Sequence, residues 1–553
     1  MASPQLANSR IPSRRPFTHH ITLAPRRVGA ITTCIARLCS RRIRHMTVGS
    51  LYVDAVRLSG MRRVNARSRP AVANGKTPDL RTSTVRSLRR GRTKEAFAIL
   101  WLATLAASGC TRTNAVSQAP APDCALAATF ADGKTPNRVR HVAGDGSDGT
   151  GDGSAARPFH TLGRAVHDLS PGTAIYMHAG AYPGGVLLSD IRGTRAAPVW
   201  IAGAPGESRP VIRGGGDGLH FVRPRYLVIQ DLEIRDAASN GLNVDDGDDV
   251  SDGAAAGFVV LRDLEIHDTG VHPSGIGDCL KLAGVYDVAI LHSQFGRCGS
   301  GPSSGAVGVG GVGVHRATIA FNRFAANGYG AVQVKGGSDE VEIIGNVVQD
   351  AGWRGVNLGG STGAAFFRPP LKASSSHYEA ARIHVLANVF VGGEAAAAFT
   401  GCVDCEFSHN TVVDPSKWVV RVLQETAALG EHGFAPASGG RIAGNIFYFR
   451  RSDLNTGEDI NVGEGTDPAS FSLERNLWYA HDAPRRSDPR VGAIGMDTRS
   501  IVGTDPQFVN ADRGDFHLRR TSVAIGAGEG STAPPADLDG KCYSMPPSLG
   551  AFR

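Results

Sequence analysis

The chain has 553 residues, 70 of them glycine, with 41% hydrophobic and 7% aromatic residues. Glycine is about twice its usual share without a three-residue period, which excludes a collagen-like chain and points to frequent turns between short strands. The formal charge of +8 belongs to residues 1–109, with 21 Lys+Arg against 3 Asp+Glu; subtraction leaves 38 basic and 48 acidic residues in 110–553, and an acidic body argues against nucleic acid as a partner.

Residues 1–84 are rich in Arg, Ser and Pro and show no sustained period. They read as a leader or an over-extended start rather than a domain, with translation beginning near Met61 or Val85. Residues 85–109 read as a secretory signal. Arg86–Lys94 are basic, and Ala96–Ala107 form an apolar run too short to span a bilayer. The ending Leu105-Ala106-Ala107-Ser108-Gly109-Cys110 resembles a bacterial lipobox. That resemblance implies cleavage before Cys110, lipidation of its thiol, attachment to a membrane and a place in the cell envelope. Residues 110–140 are expected to be a lipid-anchored tether, polar and flexible over Thr111–Pro122.

Residues 141–505 carry a repeat. Alternating apolar residues, an Asn, then a further apolar residue recur at Thr318–Phe324, Glu342–Val348 and His384–Phe390, and further copies hold Asn410, Asn445 and Asn476. Asn322 and Asn346 are 24 residues apart and Asn388 and Asn410 are 22 apart, a solenoid period. About half a repeat after each copy lies a second short strand, as in Gly241–Gly247, Cys279–Gly284, Ala331–Gly337, Gly355–Gly360 and Val419–Gln424. No helix-length amphipathic run separates them. Parallel strands without helical crossovers require a coil that always returns in the same sense. The pattern therefore predicts an all-β fold, a right-handed parallel β-helix. Its Asn residues stack at a turn, each amide bonding the next coil.

His141–Tyr182, with its Gly/Asp loop and Pro158-Phe159-His160-Thr161-Leu162, resembles the opening of pectate-lyase-like β-helix proteins. In those proteins a short N-terminal helix caps the coil, expected here over Leu162–Leu169. Gly503–Phe508, Asp515–Leu518, Asp537–Gly540 and Pro547–Phe552 resemble the closing segment of such chains, which sets residues 506–553 as the end of the same domain. This fold hosts lyases, hydrolases, epimerases and non-enzymes, so function must be argued from the site.

Strand alternation sorts the side chains. With Val244, Leu282, Val334, Leu358 and Val422 inward, Asn243, Lys281, Gln333, Asn357 and Arg421 face outward and would stack as a substrate-binding stripe; Asp245 and Lys335 lie one step on. Asp245, Asp246 and Asp278 are candidate calcium ligands, since close carboxylates repel unless a cation joins them and hard oxygens suit Ca²⁺. Lys281 or Lys335 is then the candidate base for β-elimination from an acidic, uronic-acid-containing polysaccharide. Asp278-Cys279-Leu280-Lys281 resembles the site of calcium-dependent pectate lyases. Val334-Lys335-Gly336 with Glu342–Asn346 resembles the lysine stretch of the chondroitinase B and alginate lyase family. That family places an Arg on the next coil, where this chain has Asn357-Leu358-Gly359-Gly360 and its Arg at 354. A polygalacturonase-like hydrolase is a weaker alternative, carried by Asn243–Gly247 and Gly277–Cys279. A non-catalytic glycan-binding or structural β-helix is the other. The insertion Ser361–Tyr378 interrupts the repeat and is expected to build a wall beside the stripe. Cys279–Cys298 would bridge adjacent coils and Cys402–Cys405 would close a turn, as suits an oxidising compartment; a monomer is expected.

Overall fold

The computed structural model describes residues 124, 126 and 128–553, except 251, 272–276, 300–304, 374, 455–456, 496–498 and 530–533. The segment 1–84, the signal 85–109 and the lipidation site Cys110 lie outside the described residues.

Each coil contributes strands to three faces. Gly330–Lys335, Ser338–Ile344 and Val347–Gln349 make one coil, and Arg354–Gly359, Ala380–Leu386 and Val389–Val391 make the next. Every pairing between coils is parallel, in register and one coil to the next, as in Val309↔Val332↔Val356↔Ala397↔Val420. The third face is a sheet of 12 strands, and the first two faces form a set of 21. They join because Leu280–Leu291 and Val307–Ala320 run on around the corner. Gly284 and Gly313 make that corner with φ of +62° and +60°, a conformation costly for other residues. The result is an all-β parallel β-helix. Inward Val, Ile, Leu and Phe from all three faces merge into one core running from Val142 to Val491.

The asparagines stack at the turn between the second and third faces. Asn388 Oδ1 accepts from the backbone N–H of Asn346 at 2.8 Å and from its Nδ2 at 2.9 Å. Asn388 in turn donates through its N–H and Nδ2 to Asn410 Oδ1 at 2.9 and 3.0 Å. The same geometry links Asn322, Asn346, Asn410, Asn445 and Asn476. Ser293 starts the ladder and the Ser500 hydroxyl ends it. All six Asn are buried, so each satisfies backbone groups that water cannot reach.

Two boundaries differ from expectation. The helix covers Leu162–Ala165 rather than running to Leu169. Asp168 takes a φ of +54° just beyond it, and Ser170-Pro171 follows, where the proline disfavours helix at the residue before it. Thr161 caps its N-terminus, and Leu162 and Ala165 enter the core. The tether predicted over residues 110–140 is folded in its last part. Leu126 packs on Ala320, Ile344 and Leu386, while Phe130 and Ala131 pack on Trp200, Val228 and Val260. These outward apolar residues of the second face need cover, and the burial outweighs the polar composition upstream. Cys124 is disulfide-bonded to Cys542. Cys279–Cys298 and Cys402–Cys405 are also bonded. The former joins the start of one coil to its end rather than joining adjacent coils, because Cys279 precedes strand Leu280–Leu291 and Cys298 closes strand Gln294–Cys298 of the same turn.

His409 sits beside the ladder at a φ of +52°. Its Nδ1 meets the Ser548 carbonyl at 3.0 Å and so ties the closing segment to the coil. Burial pushes its pKa down to about 4. Below the ordinary histidine value the unfolded chain binds a proton that the folded chain refuses, so stability falls from about pH 6.5 to about pH 4. Denaturant unfolding at pH 7 and pH 4.5 is expected to show a loss about 2–3 kcal/mol larger in the parent than in His409→Asn, which tolerates the same φ. An equal loss in both would remove His409 from the acid response.

Candidate functional site

The register places one outward residue per coil in a single column on the first face. It reads His220, Asn243, Lys281, Gly310, Gln333, Asn357, Ala398, Arg421, Asn461. All five predicted stripe residues fall in it. At roughly 4.8 Å per coil the column is about 38 Å long. A second column beside it holds Asp245, Ala283, Val312 and Lys335.

On several coils the residue three positions earlier, where the chain enters the face, supports the stripe; Asp278 and Arg354 were expected at the site in other roles, while Asp217, Asn240 and Glu458 were missed by the sequence reading. Asp278 Oδ2 is 3.2 Å from Lys281 Nζ. Arg354 Nη1 donates to Asn357 Oδ1 at 3.0 Å. Arg421 lies 4.2 Å over the Trp418 ring. Asn461 Nδ2 donates to Glu458 Oε2 at 3.0 Å. At the other end, Asp217 accepts from Asn240 at 3.0 Å and from Asn243 Nδ2 at 3.2 Å. A polar or aromatic residue stands three places before His220, Asn243, Lys281, Asn357, Arg421 and Asn461, but Gln333 has Gly330 at that spacing.

The three candidate calcium ligands are not brought together. Asp245 is bonded to His220 Nε2. Asp246 turns into the corner, with its Oδ2 2.6 Å from Arg368 Nε. Asp278 is paired with Lys281 and also accepts from the Val307 N–H at 3.0 Å. Asp245 stands opposite Ala283, five residues beyond Asp278, which is about 16 Å along the strand. Among the described residues no group of three or more His, Cys, Asp or Glu is arranged to hold a metal ion. These three carboxylates therefore do not fit one calcium site; each has a basic partner of its own.

The two candidate bases differ. Lys281 is ion-paired. Lys335 donates to the Ser361 carbonyl at 3.0 Å. Burial holds its ammonium below the ordinary lysine range, and the Lys281 charge adds to this, while Glu379, Asp278 and Glu425 act in the opposite sense. Arg354 is buried and committed: Nη2 meets Glu425 Oε1 at 2.8 Å, and the guanidinium lies 5.5 Å over the Tyr329 ring. It orients Asn357 from below and does not stand open on the groove, unlike the role expected of it.

The insertion forms a wall, as expected. It leaves after Gly359 and returns at Ala380. Arg368 carries it back over several coils to Asp246, across the bare Cα of Gly313, where a Cβ would stand 2.4 Å from the Cβ of Arg368. Phe367 is buried against Phe434, and His377 exchanges backbone bonds with Gly433 and Ala435. Phe366 and Trp353 stay exposed, whereas Trp418 and Trp478 are buried. A cavity of about 750 Å³ lies at the turn out of the third face beside Asp268, Arg297 and Asn327 and contains no stripe residue. The stripe residues differ in exposure: Asn243, Lys281, Gln333 and Arg421 are partly exposed, whereas Asn357, expected to face substrate, is buried because Arg354 and Thr400 take up its amide oxygen.

Coiled register and polar column together define a parallel β-helix with one built, polar face. No family model matches the chain, and no curated protein matches it. Among solved structures it is similar to pectate lyase Pel9A, at 15% identity over 76% of this chain and 97% of that one, with a TM-score of 0.41. It is similar to a rhamnogalacturonan lyase at 14% identity, over 68% and 91%, with a TM-score of 0.44. It is also similar to XylC in complex with xylose, at 11% identity over 75% and 98%, with a TM-score of 0.46. The β-helix assignment itself rests on the strand register of this chain.

Proposed function

We propose that this is an envelope protein, anchored through Cys110, that binds an acidic polysaccharide along the first-face stripe and cleaves it by β-elimination with Lys335 as the base. The observation that carries the reading is the pair of lysines on the groove. Among the described residues Lys335 has a carbonyl partner and no carboxylate at ion-pair distance, and its neutral form is favoured by burial. A lysine whose neutral form is favoured in this way is a better base than an ordinary surface lysine.

Lys281 and Lys335 are two coils apart and in neighbouring columns, two residues along the strand, on the order of 12 Å between Cα atoms, within reach of two lysine side chains. Lys281 neutralises the uronate carboxylate, which acidifies the C5 proton. Lys335 takes that proton. The C5–H electron pair becomes the C4=C5 double bond as the C4–O4 bond breaks, and the leaving oxygen takes up a proton. Asn243, Gln333 and Arg421 hold flanking sugars, while Asn357 is buried and bonded to Arg354 and Thr400 and so makes no sugar contact. No step is routed through calcium.

A panel of uronic-acid polysaccharides, each with Ca²⁺ and with chelator, tests this by the ultraviolet absorbance of new unsaturated ends. A chelator-insensitive signal is expected. A signal lost with chelator would return a metal to the mechanism. Binding without product across the panel would favour the non-catalytic glycan-binding reading, for which the internal bonding of Asn357 and Arg354 speaks.

A further inference from the structure

Glu379 closes the insertion, immediately before strand Ala380–Leu386. It is fully buried. Its carboxylate accepts four hydrogen bonds, and every donor is neutral. Oε2 accepts from the Gly336 N–H at 3.1 Å and the Thr362 hydroxyl at 2.7 Å. Oε1 accepts from the Thr362 N–H at 3.0 Å and the Thr426 hydroxyl at 2.8 Å. Among the described residues no Arg, Lys or His ion pair with it is formed. A buried carboxylate without a cation is costly unless its place demands the charge.

Its partners share one neighbour. Gly336 follows Lys335 directly. Thr362 follows Ser361, whose carbonyl receives the Lys335 ammonium at 3.0 Å. Thr426 belongs to the separate excursion that braces the insertion through Phe434. We propose that Glu379 is a positioning residue for Lys335: it clamps the backbone on both sides of the ammonium's seat and supplies the fixed negative charge that faces it. The proposal rests on Lys335 being the base of the stripe. The other charges acting on Lys335 are Lys281, Asp278 and Glu425. Asp278 is shared with Lys281 and Glu425 with Arg354, which leaves Glu379 as the carboxylate of that set with neutral partners alone. Gln at this position keeps the two bonds to its oxygen, sets an NH2 against the two donors on the other side, and removes the charge, which is why a charge-keeping variant is needed beside it.

The test reads Lys335 itself and needs no substrate. Trace acetylation of the full chain with acetic anhydride is followed by peptide mass spectrometry across pH, with Lys417 as the distant reference. In Glu379→Gln the labelling midpoint of Lys335 is expected to move to lower pH by about half to one unit, with Lys417 unmoved. Thr426→Val, which keeps the charge, is expected to lower the melting temperature and leave the midpoint in place. An unmoved midpoint in Glu379→Gln, or an equal shift in Thr426→Val, overturns the proposal. If Glu379→Gln does not fold, the reciprocal coupling is read instead. Lys335→Met is then expected to unfold at higher pH on acidification, while Lys335→Arg matches the parent; equal acid midpoints for the two overturn it. A shifted Lys335 in a chain that forms no unsaturated ends would sink the lyase reading while leaving this coupling intact.

Discussion

Lys335→Ala is expected to cut the formation of unsaturated sugar ends on the order of a thousandfold, the usual size of general-base removal, with strand content and melting temperature close to those of the parent. The side chain is half-buried at the groove, and its ammonium makes one bond, to a carbonyl, so its loss leaves little unsatisfied. Lys281→Ala is expected to behave differently. It leaves Asp278 with backbone partners and takes away the group that meets the substrate carboxylate, so KM rises and kcat falls together. In the parent, the acid limb of the pH–rate profile should lie below the ordinary lysine range, since activity grows as Lys335 loses its proton and burial favours the neutral form. A Lys335→Ala enzyme that still produced unsaturated ends at the parental rate would end the assignment, and Lys281 would be next to test.

The second large effect is structural. Asn388→Ala removes one rung from the middle of the buried ladder. The Asn346 N–H loses its acceptor and the Asn346 amide loses one of its three, keeping the Ile319 and Ile344 carbonyls. The carbonyls of Ile343 and Leu386 lose the Asn388 amide as a donor, although Leu386 keeps the Gly345 N–H at 3.0 Å. Asn410 Oδ1 loses one of its two donors. Water has no route to these groups, so the cost is expected to be about 2–4 kcal/mol, well above that of an Asn→Ala change on the surface. Because each coil touches mainly its neighbours, hydrogen exchange should accelerate first in strands Ser338–Ile344, Ala380–Leu386 and Glu406–Ser408. A loss below about 1 kcal/mol, a size typical of a single net hydrogen bond, would mean that the rungs act independently and the ladder adds no cooperativity.

Most of the fold could be read from the chain. The Asn period, the alternation of Val, Ile and Leu, and the absence of amphipathic helices identified a coil, and a period of two fixed which side chains leave the core. That is why Asn243, Lys281, Gln333, Asn357 and Arg421 were found in one column although up to 178 residues separate them: local alternation and a constant repeat are properties of short windows. The length of the N-terminal helix and the fate of residues 124–132 were not legible. The first depends on the turn at Asp168, and the second on an outward apolar column more than 60 residues away in sequence.

The site was legible in position and not in partnership. Which carboxylate meets which cation is set where coils and loops meet, and the sequence holds no record of that distance. Asp246 looked like a metal ligand beside Asp245, yet the corner turns it toward Arg368, 122 residues on. Arg354 looked available and is held by Glu425, 71 residues on. Glu379 carried no local sign at all, since its four donors come from three segments that only the insertion's return brings together. By itself, then, the sequence determined the coil, its core and the outward stripe, because these follow from short-range periodicity. Only the tertiary structure decided which charges are paired and which lysine is left with a neutral partner, because electrostatic pairing depends on through-space distance and burial, and both are created by the winding of the chain.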